Sequence, residues 1–140
     1  MATKITVSAN VNAPVEKVWE SWTNPDHITK WNFADPSWHC PSASNDLQVG
    51  GKSSVRMEAK DGSFGFDFNV IYDVVNLHKE ISYTMEDGRQ ATTIFEANGD
   101  TTNVTTTFDA ENQNPVEMQQ GGWQMILNNF KNYTEHEMAG

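Results

Sequence analysis

The residues that could carry catalytic or metal chemistry are few, and most of them lie in one stretch. His39 and Cys40 are adjacent, with His27 twelve residues earlier, and this spacing does not match the usual zinc-ligand patterns. Cys40 could act as a nucleophile only if the fold placed a base beside it, which the sequence does not show. No glycine-rich phosphate loop, nucleophile elbow or dinucleotide motif occurs. We therefore predict no metal, no cofactor and no catalytic residue. Asp35 and His39 are the acid–base candidates for an enzymatic alternative.

Composition narrows the partners and the setting. Nineteen acidic residues against nine basic ones give a formal charge of −10, which repels phosphate backbones and anionic lipids, so we predict neither a nucleic-acid nor a membrane partner. No segment approaches the roughly 18 apolar residues of a membrane span. The 140 residues suffice to bury one core, which predicts a single domain over residues 1–140. The single cysteine and the lack of an apolar leader predict a cytoplasmic protein.

A long C-terminal helix is the element that must position any site. Asn114 is a good N-cap, Pro115 suits the first helical position, and Glu117 sits where a capping-box partner belongs. The pair Gly121-Gly122 predicts a bend or break, because each mid-helix glycine costs about 1 kcal/mol relative to alanine. One apolar face follows at helical spacing: Trp123, Ile126, Leu127, Phe130 and Tyr133.

The N-terminal part predicts one strand and two short helices. Residues 4–12 alternate apolar and polar side chains, which is typical of a half-buried strand. Val15 to Thr23 carries apolar residues on one helical face, and Asn24-Pro25 marks the start of a second helix that reaches Trp31. Residues 32–45 show no periodicity and contain two prolines, so we predict a long loop.

The middle of the chain predicts an antiparallel meander. Residues 52–60 and 64–73 alternate with period two, and the second run gathers aromatic residues on one face. Asp87-Gly88 is a two-residue hairpin signal, which would place Tyr83 opposite Thr92 and turn both inward. Strands followed by a single long helix predict an α+β fold, a sheet of about six or seven strands with the helix on its apolar face.

Two stretches resemble a known family. Residues 13–31 read APVEKVWESWTNPDHITKW, and Gly122-Trp123 is followed by Ile126, Leu127 and Phe130. Together they resemble the SRPBCC or START-like superfamily, in the branch similar to the activator of the 90-kDa heat-shock chaperone's ATPase. The resemblance spans the chain and implies a helix-grip fold, in which an antiparallel sheet wraps the C-terminal helix around an internal cavity. Members include binders of lipids, sterols, flavonoids and polyketides, polyketide cyclases, and the C-terminal domain of the chaperone activator.

The resemblance and the strand alternation together predict a ligand site. Such pockets are mainly apolar, with a few polar groups that orient the ligand, and Tyr83 and Thr92 are the candidates for that role. The alternative is that the same side chains fill the interior completely. The predicted lining is Phe66, Phe68, Tyr83, Thr92, Trp123, Leu127 and Phe130, with Trp31, Phe33 and Trp38 at the mouth.

Three functions follow from this site. The first is binding of a small hydrophobic or aromatic molecule. The second is an enzyme of the polyketide cyclase or hydrolase type, and the third is an interaction domain with a chaperone as partner. A shared fold does not choose among them.

Overall fold

A computed structural model of the chain describes residues 3–33 and 35–137. Within them, seven strands form one curled antiparallel sheet in the order β1-β7-β6-β5-β4-β3-β2, with two short helices after the first strand and a long helix after the last. The predicted α+β helix-grip architecture is confirmed. The elements are β1 Lys4–Val11, α1 Val15–Thr23, α2 Pro25–Trp31, β2 Trp38–Asn45, β3 Lys52–Ala59, β4 Gly65–Asn76, β5 Glu80–Met85, β6 Gln90–Asn98, β7 Thr101–Asp109 and α3 Val116–Glu137.

Helix α3 lies against the apolar face of the sheet, as its spacing predicts. Leu127 and Phe130 are buried in the core. Trp123 stacks flat on Phe108 of β7, with ring centroids 3.8 Å apart and planes 10° from parallel. Burial of such large side chains stabilises the fold by roughly 1.5 to 3 kcal/mol each. This packing fixes the face of α3 that meets the sheet.

Polar contacts fix the start of α2 and the position of α1 against α3. Asn24 caps α2 as predicted, because its side-chain oxygen accepts a hydrogen bond from the Asp26 amide at 2.9 Å. The hydroxyls of Ser21 in α1 and Thr134 in α3 lie 2.8 Å apart in the interior. A buried hydroxyl without a partner would cost free energy, so this hydrogen bond sets the position of α1 relative to α3.

The prediction of an irregular loop over residues 32–45 is wrong for its second half. Trp38–Asn45 forms β2 at the edge of the sheet, paired with β3 alone. The pairing shifts register between His39 and Ser42, around Pro41. A proline is tolerated at a sheet edge or a bulge, and an edge strand with a bulge lacks a clear alternation of apolar residues. The strand was therefore invisible to a periodicity argument.

The predicted register of the β5–β6 hairpin is also wrong. Its loop has three residues, since Thr84 pairs with Gln90 and the Met85 amide donates to the Arg89 carbonyl at 2.7 Å. Gly88 has a φ of +90°, the left-handed conformation that glycine supplies in three-residue hairpin loops. The prediction assumed two residues in the loop. The extra residue shifts the whole of β6 by one position.

This shift corrects the predicted role of Thr92. A one-residue slip turns every side chain of a strand to the other face, and Tyr83 is paired with Ala91 rather than with Thr92. Thr92 lies on the outer face, where its hydroxyl is 2.9 Å from that of Ser82. Phe95, whose face the sequence left open, is buried in the core.

The start of α3 differs from the prediction, and of the predicted bend or break the break is absent. The side chain of Asn114 does not cap the helix. Its side-chain amide nitrogen instead donates to the Glu111 carboxylate at 3.2 Å. The Glu111 carboxylate also accepts a hydrogen bond from the backbone amide of Asn114 at 2.6 Å. Glu111, rather than a capping box, therefore organises the turn before α3. The helix continues without a break through Gly121-Gly122. No helix within the described residues is both long enough and apolar enough to cross a membrane.

Side chains of α3 cover the free edge of β1. Gln120, Gln124 and Lys131 donate hydrogen bonds to the backbone carbonyls of Thr6, Ser8 and Asn10 respectively, at 3.4, 3.0 and 2.8 Å. An uncovered edge strand presents unpaired backbone groups that can recruit other chains. The polar side of α3 therefore protects β1 while its apolar side packs on the core.

Candidate functional site

A pocket of about 410 Å³ lies between the sheet and α3; we call it the inner pocket. Inward-facing strand residues form one wall, helices α1 and α3 form the other, and three residues from loops complete the lining. Its volume falls in the range of roughly 300 to 1,000 Å³ that is usual for small-molecule sites. The lining residues are Val7, Trp22, Asn32, Met57, Phe66, Phe68, Tyr83, Arg89, Thr106, Glu111, Gln119, Trp123, Ile126 and Leu127.

A second space of about 330 Å³ adjoins the inner pocket; we call it the outer chamber. Met57, Phe66, Gln119, Trp123 and Ile126 line both spaces. Because these residues are shared, they form the boundary between the two spaces. The residues that line only the outer chamber are Phe33, Asp35, Trp38, Asn114, Met118 and Gly122.

Aromatic side chains gather beside the outer chamber. Trp38 lies edge-on to Phe64 and Phe66, with ring centroids 5.9 and 6.1 Å away. Phe64 is 61% exposed and Phe66 is 40% exposed. Large exposed aromatic groups mark surfaces where something binds more often than they mark ordinary surface. We call Trp38, Phe64 and Phe66 the aromatic rim.

Seven of the ten predicted site residues line one of the two spaces. Five of them line the inner pocket: Phe66, Phe68, Tyr83, Trp123 and Leu127. Two others, Phe33 and Trp38, line the outer chamber. The eighth, Thr92, lies on the outer face of the sheet, as described above.

The other two, Trp31 and Phe130, belong to the closed part of the core. Trp31 is 3% exposed and Phe130 is fully buried. The indole of Trp31 donates to the Ser21 carbonyl at 3.0 Å and stacks on Trp22. Both residues support Trp22, which lines the inner pocket. Their spacing on a helical face does not distinguish a residue that packs behind a pocket wall from one that forms it.

Sequence reasoning missed the polar residues of the inner pocket. Gln119 is one of them and is buried: its side-chain amide accepts from the Glu111 backbone amide at 2.9 Å and donates to the carbonyls of Glu111 and Asn114 at 3.1 and 2.8 Å. These bonds join α3 to the loop that precedes it. A lone glutamine in an amphipathic helix looks like a solvated residue, so nothing in the pattern pointed to it.

Tyr83 is the polar group that the prediction did identify. Burial raises the pKa of its hydroxyl far above the ordinary value, and the nearby charge of Arg89 opposes this only in part. No hydrogen-bond partner for the hydroxyl is found among the described residues, yet no fully enclosed side-chain polar atom there lacks one. The hydroxyl therefore opens on the inner pocket as a neutral, unpaired group.

The acid–base and nucleophile candidates are poorly placed for chemistry. The carboxylate of Asp35 accepts hydrogen bonds from the amide and hydroxyl of Ser37, which hold its pKa below the ordinary value. His39 is half-buried, with its Nε2 atom 3.8 Å from a carboxylate oxygen of Glu58. Burial raises the pKa of the Cys40 thiol to about 11, so it is not a thiolate near neutral pH. Within the described residues, no group of three His, Cys, Asp or Glu side chains could hold a metal ion.

Comparisons with known proteins agree on one family. The sequence profile described as Activator of Hsp90 ATPase homolog 1-like protein matches residues 12–135. The solution NMR structure of the AHSA1-like protein from Aeromonas hydrophila is 40% identical, with 99% of this chain and 96% of that chain covered and a TM-score of 0.92. No curated protein matches this chain.

Two further structures share the architecture. The solution structure of a protein from Cytophaga hutchinsonii is 52% identical, covers 96% of this chain and 94% of its own, and has a TM-score of 0.82. A crystal structure of a protein from Nitrosomonas europaea is 18% identical over 98% and 97% of the two chains, with a TM-score of 0.83. At that identity the likeness concerns the fold alone.

Proposed function

Because the chain belongs to the family of activator of Hsp90 ATPase homolog 1-like proteins, we propose that it binds a small hydrophobic or aromatic molecule between its sheet and α3. The family and its fold are consistent with ligand binding and with activator-like roles. The observation that carries the proposal is the inner pocket, of a size usual for ligands, with mainly apolar and aromatic walls and one unpaired hydroxyl.

The route into the site also supports binding. The outer chamber adjoins the inner pocket, and the aromatic rim lies at its exposed side. Aromatic side chains offer apolar surface together with preferred edge and face contacts to other rings. A ligand with an aromatic or otherwise apolar body would contact the rim first and then the shared wall of Met57, Phe66 and Ile126.

Titration against a panel of lipids, flavonoids and polyketides tests the proposal. Trp22 and Trp123 line the inner pocket, so a bound compound should quench part of the intrinsic fluorescence and raise the melting temperature. We expect at least one class of compound to do both. Failure of all three classes to change either signal would contradict the proposal.

A matched pair of variants locates the binding. Ile126→Trp adds a large ring to the wall of the inner pocket, whereas Ile71→Trp adds the same ring on the outer face of β4, where Ile71 is 45% exposed. We expect the first variant to weaken binding at least about tenfold, since it takes up the space of the ligand. The second should bind like the unmodified chain. Equal binding by both variants would place the ligand elsewhere.

A second candidate function is docking to a chaperone, and the aromatic rim is the observation that favours it. Phe64 lines neither the inner pocket nor the outer chamber and is 61% exposed. Phe64→Ser should abolish stimulation of the chaperone's ATPase and retention in a pull-down if the rim docks. Leu77→Ser is the matched control, because Leu77 is 66% exposed in the turn at the other end of β4. No stimulation by the unmodified chain would remove this candidate.

A further inference from the structure

The polar groups of the inner pocket differ in whether they are free to meet a ligand. Thr106 shares a 2.8 Å hydrogen bond with Thr93, and the Gln119 amide is engaged at both ends. The Glu111 carboxylate accepts from the amides of Gln113 and Asn114. These three side chains stabilise the protein's own backbone and strands. Asn32 carries both a donor and an acceptor, so it favours neither kind of ligand group.

Two side chains remain, and both offer donors. The Tyr83 hydroxyl is unpaired, as described above. Arg89 donates from Nε to Asp87 at 2.7 Å and from Nη1 to the Asp109 carbonyl at 3.4 Å, and its Nη2 has no hydrogen-bond partner among the described residues. A guanidinium has donors only, whereas an unpaired tyrosine hydroxyl can donate or accept. An acceptor is therefore the ligand group that both side chains can bond at once.

The three-residue hairpin loop brings these donors together. Tyr83 is paired with Ala91, so Arg89, two residues before Ala91, lies on the same inward face as a diagonal neighbour of Tyr83. Such neighbours are about 7 to 8 Å apart, within reach of long side chains. With a two-residue loop the register would shift by one, so Thr92 would face inward in place of Arg89 while Tyr83 kept its position.

The charge of Arg89 remains available to a ligand. Its partner Asp87 is 54% exposed, so solvent weakens their attraction. The other nearby acid, Asp109, is engaged with Lys4 and with the Gln90 amide. Arg89 itself is only 27% exposed, and it extends between Asp87 outside and the inner pocket. It therefore combines an anchored position with a place in the lining of the inner pocket.

The geometry points to a ligand with an apolar, ring-containing body and an acceptor oxygen on a carbonyl or carboxylate group, held by Tyr83 and Arg89 at the β5–β6 end of the inner pocket. This inference rests on the proposed function, and adds to it the class of head group. A cationic or purely donating head group could bond to the Tyr83 oxygen but would leave the Arg89 donor unpaired, which costs binding free energy.

Calorimetric titration with four compounds that share a naphthalene body tests the head group. The compounds are naphthalene, 2-acetylnaphthalene with a neutral acceptor, 2-naphthoate with an anionic one, and 2-naphthylmethylammonium with donors only. We expect the ketone, the carboxylate or both to bind about two to ten times more tightly than naphthalene, the gain of one or two hydrogen bonds. The ammonium compound should bind no better than naphthalene. The order of ketone and carboxylate tells whether the head group is neutral or anionic.

Variants assign the preference to the two donors. Tyr83→Phe and Arg89→Met should each reduce the advantage over naphthalene at least about twofold, while naphthalene itself binds within about twofold of its original affinity. Tyr72→Phe is the control, because it removes a hydroxyl outside the inner pocket. It should keep the preference, which separates a direct contact from a general loss of structure.

The outcomes separate this inference from the proposed function. Binding of naphthalene without any preference for an acceptor, or a preference that survives in both Tyr83→Phe and Arg89→Met, overturns the inference and leaves the apolar pocket in place. Tighter binding of the ammonium compound overturns it as well. If none of the four compounds binds and the broader panel also fails, the proposed function itself falls.

Discussion

Tyr72 and Tyr83 are directly opposite each other on β4 and β5, yet their hydroxyls have different roles. Tyr72 donates to the side chain of Asn45 at 2.5 Å, and the Asn45 amide donates to the Thr23 carbonyl at 2.6 Å. This chain of bonds ties β4 to β2 and to α1. Tyr83 makes no such bond. At the scale of single residues, one hydroxyl stabilises the protein and the other is available for binding.

Removal of each hydroxyl should therefore affect stability differently. Tyr83→Phe should change the free energy of unfolding by less than about 0.5 kcal/mol, because no hydrogen bond is lost. Tyr72→Phe should lower it by about 1 to 3 kcal/mol, since Asn45 loses a partner in the interior. Urea denaturation of both variants checks this. Equal losses would show that Tyr83 has a structural partner after all.

At the scale of elements, α3 carries a local weakness that its packing compensates. Gly121 and Gly122 lie in a continuous helix, although glycine is a poor helix former. A Cβ atom added at either position would have no neighbouring atom within 4 Å. The glycines are therefore not required by close packing. Gly51 presents the opposite case, because a Cβ there would lie 2.1 Å from the Asp46 carbonyl oxygen.

Substitution by alanine should therefore have opposite effects on the free energy of unfolding at these two kinds of glycine. Gly121→Ala should raise the free energy of unfolding by about 1 kcal/mol, through better helix propensity and a less flexible unfolded chain. Gly51→Ala should lower it by more than that, because backbone atoms must move to relieve the clash. Thermal and urea denaturation of the two variants measure the signs. A destabilising Gly121→Ala would indicate that the helix needs to bend there.

An ion pair between Lys4 of β1 and Asp109 of β7 lies at the end of the pairing of these strands. Its contribution to the free energy of unfolding depends on pH. The Asp109 carboxylate accepts from Lys4 and, at 2.9 Å, from the Gln90 amide, and these bonds lower its pKa below the ordinary value of 3.8. Because the folded-state pKa is the lower one, its stabilising contribution is complete above about pH 4 and is lost as the pH falls through the folded-state pKa.

Asp109→Asn should therefore destabilise the protein at neutral pH, and the difference from the unmodified chain should shrink as the pH falls below 4. Lys4→Met should raise the pKa of Asp109 towards its ordinary value, because it removes the largest cause of the shift. Urea denaturation between pH 2 and 7 and an NMR titration of Asp109 measure the two effects. A stability difference that is constant over this range would contradict the assignment.

At the scale of the whole molecule, the parts that could be predicted are those in which burial repeats with a fixed period. Alternation identifies the inward residues of β4 and β5, and helical spacing identifies the buried face of α3. Together they bring Phe68, Tyr83 and Leu127 to the pocket. Loop length is not encoded in that period, so the register that exchanges Thr92 for Arg89 could not be derived. The contacts of Gln119 depend on a loop conformation and were equally out of reach.

The inner pocket links the stability of the whole chain to its ligand. Apolar walls around a space of about 410 Å³ lack contact partners that a filled core would have, and a bound molecule supplies them.

If 2-acetylnaphthalene binds only the folded chain, the free energy of unfolding should rise by about 1.4 kcal/mol for each tenfold increase of its concentration above the dissociation constant. Ile71→Trp should show the same rise at the same concentrations, while in Ile126→Trp the rise should begin only at concentrations at least about tenfold higher. Urea denaturation at several ligand concentrations measures the slope. A flat response at concentrations where calorimetry reports saturation would mean that the compound binds outside the folded core.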